Sequence, residues 1–507
     1  MSNLSELLPS GGGAKSADFV ASGTLPNGKP VVLKANGQVE VVGLSTPISE
    51  SIPTGSAVLY NAAGSYQNTL AFDPTTAGRF VVIFYDSGNS NSGTAIVGTV
   101  SGTSVTFGSE YVFLTGTASG SISQPSISFD TNTAGRFAVA YEAVLSSNYG
   151  NVIIGNVSGT SISFGTVTTF NSASTQDNSI HFNPNTANQL LFTYRDGGNG
   201  DKGAARIGTV TGTSISFGTA TLAGTTIGYG QSAAMDPSTA GSFVVCARNT
   251  AGAGPGTSYV GTISGTSISF GSASVFNAGS TLQPSISFDP NTAGKCIIAY
   301  KDLDESNAGR ATIGTVSGSS ITFGSEYTFQ TANSKQTYVA FDTKTAGKFV
   351  ITYRNGGASN IGTAISGTVT YSNSSIAYGT NTTFSTGTIG EPFAINVAFD
   401  PNNAGLFAVV YNDDANSGYG TVRLGQIVIP AVTNLTATNF VGITDQAIAS
   451  GASGSVVVQG GVGAGQTSLT IGSTYYVQAD GTISTVSTSP AVNIGKALSA
   501  TTILLKG

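Results

Sequence analysis

The amino-acid sequence is dominated by one motif, Ser-Ile-Ser-Phe-Asp-Pro-Asn-Thr-Ala-Gly followed by Lys or Arg, which returns seven times in recognisable variants. Its aspartate or asparagine, called here the Asx position, recurs at spacings of 57, 53, 53, 53, 53 and 58 residues. The Asx residues are Asp73, Asp130, Asn183, Asp236, Asp289, Asp342 and Asp400. A period of this size is typical of repeat architectures, in which each unit buries its apolar face against the next.

Each repeat contains four strand-like runs. In the fifth repeat they are residues 284–289, 295–300, 310–316 and 320–323. The first run alternates Ser and apolar residues, and the second is apolar on both faces, as expected for an inner strand between neighbouring sheets. The sequence therefore predicts an all-β chain, and seven units of four antiparallel strands predict a seven-bladed β-propeller.

The spacing inside the repeats predicts how the ring closes. A glycine in the third strand follows the Asx position by 25 residues in every unit, but the seventh unit has no fourth strand after Gly425. The missing strand lies upstream, because residues 51–55 match the fourth-strand pattern and Gly55 precedes Asp73 by the 18 residues seen in other units. We therefore expect three-plus-one closure, with the strand near residues 50–60 completing the last blade.

The chain divides into three predicted parts. Residues 1–48 form a polar leader followed by a β-hairpin arm, in which Asn36-Gly37 between alternating apolar runs is a strong hairpin signal. Because a two- or three-stranded arm is not stable alone, it must pack against the rest of the chain or another protein. Residues 49–430 form the propeller, and residues 431–507 form a small C-terminal β domain that ends in a paired strand.

The residues that carry chemistry in enzymes are scarce. An Asx side chain that caps its own turn explains the repeated aspartate, since the third unit has Asn183 there. His181 is the single histidine and is interpreted as a strand residue, and Cys246 and Cys296 are interpreted as buried thiols. The run 302–307 lacks the glycine spacing of a calcium loop. No catalytic residue, metal site or cofactor is predicted.

The amino-acid composition limits the classes of partner that this protein is expected to bind. Charged residues are 9% of the chain, and the formal net charge is −6 without any Lys/Arg cluster. Nucleic acid is therefore not expected as a partner. Membrane insertion is not expected either, because no apolar run approaches the ~20 residues that span a bilayer. The N-terminus does not have the pattern of a secretory signal peptide.

One face of the predicted propeller carries most of the chain's charge and variety. It holds the loops between second and third strands and the connections between blades, whereas the opposite face repeats the same turns. Loops on a rigid scaffold commonly carry recognition. The ligand-face candidates are Asp86, Tyr149, Arg195, Asp196, Arg248, Lys301, Asp302, Arg354, Asp413 and Asp414. The alternative is that these loops vary because nothing constrains them.

The two ends of the chain carry a resemblance. Residues 19–28, Phe-Val-Ala-Ser-Gly-Thr-Leu-Pro-Asn-Gly, resemble N-terminal segments of tailed-phage virion proteins, especially marine cyanophage-like ones. Residues 442–444, 472–477 and 497–505 resemble the same proteins. The resemblance covers about a fifth of the chain. It implies a phage structural protein, a tail or capsid appendage, and supplies no catalytic residue.

Three functions follow from these observations. The favoured one is a non-enzymatic virion protein, assembled in the host cytoplasm, whose arm and C-terminal domain attach to other virion proteins while the propeller contacts host-surface glycan. The alternative is a free carbohydrate-binding, lectin-like propeller. A propeller glycoside hydrolase is less favoured and requires paired carboxylates at the ring centre. Homo-oligomerisation is left open.

Overall fold

The protein is described by a computed structural model that covers residues 15–44, 51–116, 121–226, 230–249, 254–390, 394–427, 433–490 and 492–506. The predicted leader lies almost wholly outside these ranges. Contacts within the chain define two compact units. One, the terminal unit, combines Met1–Ile48 with Pro430–Gly507, and the other, the repeat region, is Ser49–Ile429.

The described residues contain strands and short 3-10 helices but no α-helix, so the all-β prediction is confirmed. Nor does any helix in these ranges have the length and apolarity to cross a membrane. The N-terminal strands are β1 (Ser16–Val20), β2 (Pro30–Leu33) and β3 (Val39–Val41). The 3-10 helices are Val144–Ser146, Gly197–Asn199, Gly356–Ala358 and Asp414–Asn416.

The remaining strands follow the chain through the repeat region and the C-terminal segment. Those of the repeat region are β4 (Ser51–Phe72), β5 (Arg79–Asp86), β6 (Ser92–Ser101), β7 (Ser104–Leu114), β8 (Ile122–Phe129), β9 (Arg136–Ala143), β10 (Tyr149–Ser158), β11 (Ser161–Phe164), β12 (Thr168–Phe182), β13 (Gln189–Asp196), β14 (Lys202–Thr211), β15 (Ser214–Phe217), β16 (Thr221–Thr226), β17 (Ser232–Met235), β18 (Ser242–Arg248), β19 (Pro255–Ser264), β20 (Ser267–Phe270), β21 (Ser274–Phe288), β22 (Lys295–Asp302), β23 (Ala308–Ser317), β24 (Ser320–Gln330), β25 (Ser334–Phe341), β26 (Lys348–Asn355), β27 (Ile361–Thr370), β28 (Ser375–Tyr378), β29 (Thr382–Thr388), β30 (Ile395–Phe399), β31 (Leu406–Asp413) and β32 (Tyr419–Gln426). Those of the C-terminal segment are β33 (Phe440–Thr444), β34 (Ser453–Val457), β35 (Val462–Gly463), β36 (Thr474–Val477), β37 (Ile483–Ser484), β38 (Val492–Ala497) and β39 (Ile503–Leu505).

Within each repeat the strands pair antiparallel in chain order. In the fifth repeat, the second half of β21 pairs with β22, β22 with β23, and β23 with β24. The second strands are buried on both faces, as β22 and its counterpart β13 are along nearly their whole length. A strand that is apolar on both faces requires a neighbour on each side, so the repeats must pack face to face.

The seventh repeat is completed from the start of the chain. Strand β32 pairs antiparallel with the first half of β4, with Val422 opposite Val58 and Tyr419 opposite Gly64. The second half of β4 then pairs with β5 as the first strand of the first repeat. The strand pairing that three-plus-one closure predicts is therefore present.

The Asx side chains cap their own turns. In the first repeat, Asp73 Oδ1 accepts a hydrogen bond from the backbone N–H of Thr75 at 2.8 Å, and each of the other six Asx residues makes the same bond at 2.8–3.2 Å. Asn183 does so as well as the aspartates, since the bond needs only an acceptor oxygen. The structural interpretation of the motif is confirmed.

The turn also links neighbouring repeats. The side-chain amide of Asn291 donates to the carbonyl of Asp342 in the next repeat at 3.3 Å, and Asn402 donates to the carbonyl of Asp73 at 3.2 Å. The second of these bonds runs from the last repeat to the first. The Asp-Pro-Asn sequence shared by these two repeats thus forms its turn and joins neighbouring repeats.

The terminal unit differs from the separate arm and domain of the sequence prediction. One of its sheets has the order β1-β34-β33-β2-β3, so the N-terminal strands pair with C-terminal ones, and Phe19 lies opposite Gly454. The predicted hairpin at Asn36-Gly37 is confirmed, since β2 pairs with β3. The N-terminal arm therefore packs against the C-terminal segment of the same chain.

The second sheet of the terminal unit, β35-β39-β38-β36-β37, lies wholly in the C-terminal segment. Its last strand, β39, pairs with β38 and β35, which confirms the predicted paired terminal strand. One apolar cluster joins the two sheets: Val32 and Val42 pack with Ile443, Val477 and Ile503. The unit consequently has a core of its own.

Candidate functional site

Most of the ligand-face residues that the sequence suggests are not exposed. Tyr149 is partly exposed and Asp414 is exposed. The other eight are buried: Asp86, Arg195, Asp196, Arg248, Lys301, Asp302, Arg354 and Asp413. They lie at the ends of the second strands and not on the tips of the loops.

Three of the four buried aspartates of this set cap the loops that follow them. Asp86 accepts a hydrogen bond from the backbone N–H of Gly88 at 2.9 Å, Asp196 from Gly198 at 3.0 Å, and Asp302 from Asp304 at 3.1 Å. Burial raises the pKa of Asp302 and of Asp413. The carboxylates of Asp86, Asp196 and Asp302 therefore hold loop conformations, as the Asx residues do on the other face.

The basic members lie twelve residues after the Asx position in four consecutive repeats. Arg195 forms ion pairs with Asp177 and Asp201, both at 3.3 Å. Lys301 Nζ donates to Asn333 Oδ1 at 3.1 Å, and burial together with the neighbouring Lys335 lowers its pKa. Arg195 and Lys301 are therefore held in buried positions by neighbouring carboxylate and amide oxygens.

The residue six positions before each Asx residue belongs to a set that follows the repeats around, and we call this set the axial belt. Its members are Gln67, Gln124, Asp177, Gly230, Gln283, Gln336 and Ala394. The first six have a left-handed backbone, with φ between 46° and 85°. Five lie at shifts in strand register, which explains how residues other than glycine are held in this region.

Hydrogen bonds connect the belt from one repeat to the next. Gln67 Oε1 accepts from the backbone N–H of Gln124 at 3.0 Å, and Gln124 Oε1 accepts from that of Asp177. Asp177 Oδ2 accepts from Gly230 at 3.1 Å. A second series of such bonds begins in the fifth repeat. Gln283 Oε1 accepts from the backbone N–H of Gln336 at 2.8 Å, and Gln336 Oε1 accepts from that of Ala394 at 3.2 Å. The pattern stops after Gly230 and Ala394, because neither has a side-chain acceptor.

Serine hydroxyls form further hydrogen bonds between the first strands of neighbouring repeats. Ser126 Oγ accepts from the backbone N–H of Ile180 at 3.1 Å, and Ser128 Oγ from Phe182 at 3.0 Å. The fifth repeat repeats the pattern with Ser285 and Ser287. The first strand of a repeat pairs with only one neighbour, so its other edge has unpaired N–H groups. The alternating serine hydroxyls accept hydrogen bonds from these N–H groups.

A cavity of about 280 Å³ lies inside this ring and is lined by the first strands of all the repeats. Its polar lining consists mainly of side-chain amides and hydroxyls. Those groups come from Gln67, Asn68, Thr69, Gln124, Ser126, Asn178, Ser179, Gln231, Ser232, Gln283, Ser285, Gln336, Thr337, Tyr338 and Asn396. An amide or hydroxyl can both donate and accept, so this lining suits a neutral polar ligand.

Three ionisable or aromatic side chains distinguish parts of the cavity wall. Burial raises the pKa of Asp177, while Arg195 and backbone N–H groups oppose that rise. Burial lowers the pKa of His181 to about 4, and its Nε2 lies 3.0 Å from Ser179 Oγ. Tyr338, at the same repeat position as Ser179, presents a ring, and burial raises its pKa to about 12. At neutral pH the imidazole and the phenol are therefore uncharged.

Sequence reasoning did not find the cavity residues, although a signal was present. Glutamine occupies the position six residues before the Asx residue in four of the seven repeats. The period applied to this position would have identified the belt. His181 was singled out only as a strand residue, and the structure places it in the cavity wall.

The prediction of two buried thiols is confirmed. Cys246 and Cys296 are both buried free thiols, and burial raises the pKa of each. Within the described ranges no group of three or more His, Cys, Asp or Glu is arranged to hold a metal ion.

Comparison with known proteins gives structural likeness alone. No protein-family model and no curated protein sequence matches the chain. The BP39L lectin from Burkholderia pseudomallei is similar with a TM-score of 0.53 and 10% identity, over 76% of this chain and 99% of the lectin. At this identity the likeness supports a β-propeller fold and nothing about activity.

Two further solved structures are similar at lower scores. A protein from Lactobacillus plantarum has a TM-score of 0.46 and 11% identity, over 70% of this chain and 97% of its own. Sqt1 from Saccharomyces cerevisiae has a TM-score of 0.43 and 10% identity, over 76% of this chain and 100% of its own.

Proposed function

We propose that the repeat region is a seven-bladed β-propeller that binds glycans without enzymatic activity. The blade number is supported by the seven Asx turns and by the side-chain hydrogen bonds between consecutive repeats. These include the bond from Asn402 to Asp73, which returns to the first repeat. Closure of the ring gives a rigid support for a binding surface.

The observation that carries the binding function is the cavity with its amide and hydroxyl lining. Sites for small polar ligands commonly combine a concave surface with a few convergent polar groups held in fixed positions. The belt provides such fixed positions, because its side chains are bound to the backbone of the neighbouring repeat. Sugars present many hydroxyls, each of which donates and accepts, so a glycan matches this lining.

Binding is favoured over catalysis by the state of the cavity's carboxylate. Asp177 lines the cavity, but its Oδ2 accepts from Gly230 and pairs with Arg195. A general acid or base needs a proton-transfer position directed at the substrate. A carboxylate engaged in this way serves better as a structural link. The lectin named above adds an analogy of fold to the proposal.

A glycan array probed with the full-length labelled protein tests this function. We expect binding to a limited set of glycans, with no release of sugar on long incubation. A blank array, obtained with protein whose circular dichroism and unfolding transition are those of a folded all-β chain, would contradict the proposal. Release of reducing sugar would instead favour the hydrolase alternative.

We further propose that the protein is a component of a tailed-phage virion, attached through its terminal unit. The support is the resemblance of residues 19–28 and of the C-terminal segments to virion proteins. Because β1 pairs with β34 and β2 with β33, the two resembling segments belong to one body and would attach together. Mass spectrometry of purified particles is the test: we expect peptides from both units, and their absence from particles would contradict this placement.

A further inference from the structure

One side chain in the cavity wall has no hydrogen-bond partner. Gln231 is 7% exposed and lines the cavity, yet neither its Nε2 nor its Oε1 is hydrogen-bonded. A buried amide normally finds partners, because leaving its donor and acceptor unpaired is unfavourable. Such an amide is therefore a candidate for contact with a ligand.

The equivalent positions in other repeats do not share this property. Asn68 accepts from the Tyr60 hydroxyl at 2.7 Å and donates to the carbonyl of Ser65 at 3.3 Å. Thr337 is within 3.1 Å of the Ser334 hydroxyl. The remaining positions hold Pro125, Asn178, Pro284 and Ile395. Among these seven equivalent residues, Gln231 is the one whose two polar side-chain atoms are both unpaired.

The departure coincides with a break in the axial belt. Gly230, the residue before Gln231, supplies no side-chain acceptor to the next repeat, so the hydrogen bonds of the belt stop there. A side chain would also be crowded at this point, since a Cβ on Gly230 would lie 3.2 Å from Gln283 Cα. The symmetry of the ring is thus interrupted where the amide is unpaired, which marks one side of the cavity as distinct.

The balance of unpaired groups indicates the ligand's chemistry. Asn178 in the adjacent repeat has an unpaired Oδ1 and also lines the cavity. Two carbonyl oxygens and one amide NH₂ are therefore available, so a ligand must donate more hydrogen bonds than it accepts. An anion only accepts, and it would face the carboxylate of Asp177. Neutral hydroxyl groups fit this set better.

Size and shape restrict the ligand further. The cavity of about 280 Å³ is near the lower end of the range for small-molecule sites, roughly 300–1,000 Å³, so it suits one sugar ring. Tyr338 is the aromatic residue of the wall and offers an apolar ring face together with a hydroxyl. A sugar ring has a matching combination of apolar C–H groups and hydroxyls.

We infer that the cavity binds a single neutral sugar residue, with adjacent hydroxyls contacting the Gln231 amide and the Asn178 carbonyl. This inference rests on the proposed glycan function and adds the place of binding and the class of sugar. Uronic acids and other acidic sugars are discriminated against, because their carboxylate only accepts hydrogen bonds and would face the carboxylate of Asp177.

Isothermal titration of the full-length protein tests the inference. The probes are D-glucose, D-galactose, D-mannose, L-fucose and N-acetyl-D-glucosamine, with glucuronate and galacturonate as charged counterparts. We expect at least one neutral sugar to bind, and its acidic counterpart, where one is in the set, to bind at least tenfold more weakly. Equal affinity for a neutral sugar and its uronate would overturn the inference.

Two variants locate the binding. Gln231→Leu keeps the side-chain size and removes both polar atoms, and we expect it to weaken sugar binding at least tenfold. Its unfolding temperature should not fall, because the change removes an unpaired buried amide. Gln176→Leu is the control, since Gln176 is a partly exposed glutamine of the third repeat that does not line the cavity, and it should bind as the unaltered protein does.

The possible outcomes separate the two proposals. If the unaltered protein binds a glycan and Gln231→Leu binds it equally well, glycan binding stands and the cavity assignment is wrong. If the unaltered, folded protein binds neither a sugar in solution nor a glycan on the array, the proposed function fails and the inference fails with it.

Discussion

The carboxylate of Asp400 accepts a hydrogen bond from the backbone N–H of Gly78 at 2.8 Å, although 322 residues separate them in the chain. The equivalent bond inside the ring joins Asp289 to Gly347 at 2.7 Å. The last and first repeats are therefore connected by the same contact that connects two consecutive ones. Closure uses the repeat's own turn chemistry in addition to the shared strand β4.

The bond between Asp400 and Gly78 leads to a first prediction. Asp400→Asn keeps the oxygen that caps the turn at Asn402 but can place an NH₂ group opposite the N–H of Gly78. We expect a loss of about 1–3 kcal/mol in the free energy of unfolding, since both groups are buried. Chemical denaturation of the two proteins measures it.

Asp236→Asn is the matched control. Asp236 caps its turn through Oδ1 at 2.9 Å, but its Oδ2 has no hydrogen-bond partner. Asparagine already occupies this position in the third repeat, so the free energy of unfolding should change by less than about 0.5 kcal/mol. Equal losses in the two variants would contradict a closing role for Asp400.

The closing strand provides a second prediction. Tyr60 is 4% exposed, its ring centroid lies 5.2 Å from that of Phe84, and its hydroxyl donates to Asn68. Tyr60→Ala should lower the free energy of unfolding by about 3–5 kcal/mol, the usual cost of removing a buried aromatic ring. Leu59 is adjacent and 42% exposed, so Leu59→Ala should have little effect. Similar effects of the two changes would argue against a buried closing strand.

The architecture was readable from the sequence because it depends on a period. Strand positions, the turn at each Asx residue and the missing fourth strand all follow from counting residues between equivalent positions. The belt was readable in principle, since glutamine recurs there. Its left-handed backbone was not, because glutamine rarely adopts φ near 50° and does so here only where strand register shifts and the neighbouring repeat binds it.

Two other features could not be obtained from sequence in the same way. The pairing of Phe19 with Gly454 joins short strands at opposite ends of the chain, and their register is set by the shared core. The burial of Arg195 and Lys301 contradicts the usual exposure of such residues. Their charge makes them conspicuous in the sequence, but partners such as Asp177 and Asn333 hold them in buried positions.

The terminal unit yields a third prediction. Thr444 is buried, accepts from the backbone N–H of Lys29 at 2.9 Å and donates to the carbonyl of Pro26 at 2.6 Å. Thr444→Val keeps the shape and leaves both backbone groups unpaired, so the terminal unit should lose about 1–3 kcal/mol of stability. Hydrogen exchange should report it as faster exchange in β2 and β33.

The exchange rates of the repeat region should not change in this variant. Thr436→Val serves as the control, since Thr436 is exposed and its substitution removes no buried hydrogen bond. Uniformly faster exchange in both units, or an effect of the control as large as that of Thr444→Val, would contradict the two-unit division of the chain.

His181 gives a prediction about pH. Burial lowers its pKa to about 4 from a usual value of 6.5, so the folded chain resists the proton that the unfolded chain binds. The contribution of the neutral His181 to the free energy of unfolding is therefore fully present above pH 6.5 and is lost as the pH is lowered towards 4. The side chain is partly exposed to the cavity, so the loss should be about 1–3 kcal/mol. In His181→Ser, which introduces the residue of the second and fifth repeats, this contribution is absent. Urea denaturation between pH 7 and pH 4 gives the free energy of unfolding of both proteins against pH. Carboxylates such as Asp177 titrate in both proteins, so the histidine alone should make the two curves converge or cross on acidification. Parallel curves would show that the imidazole is not buried as described.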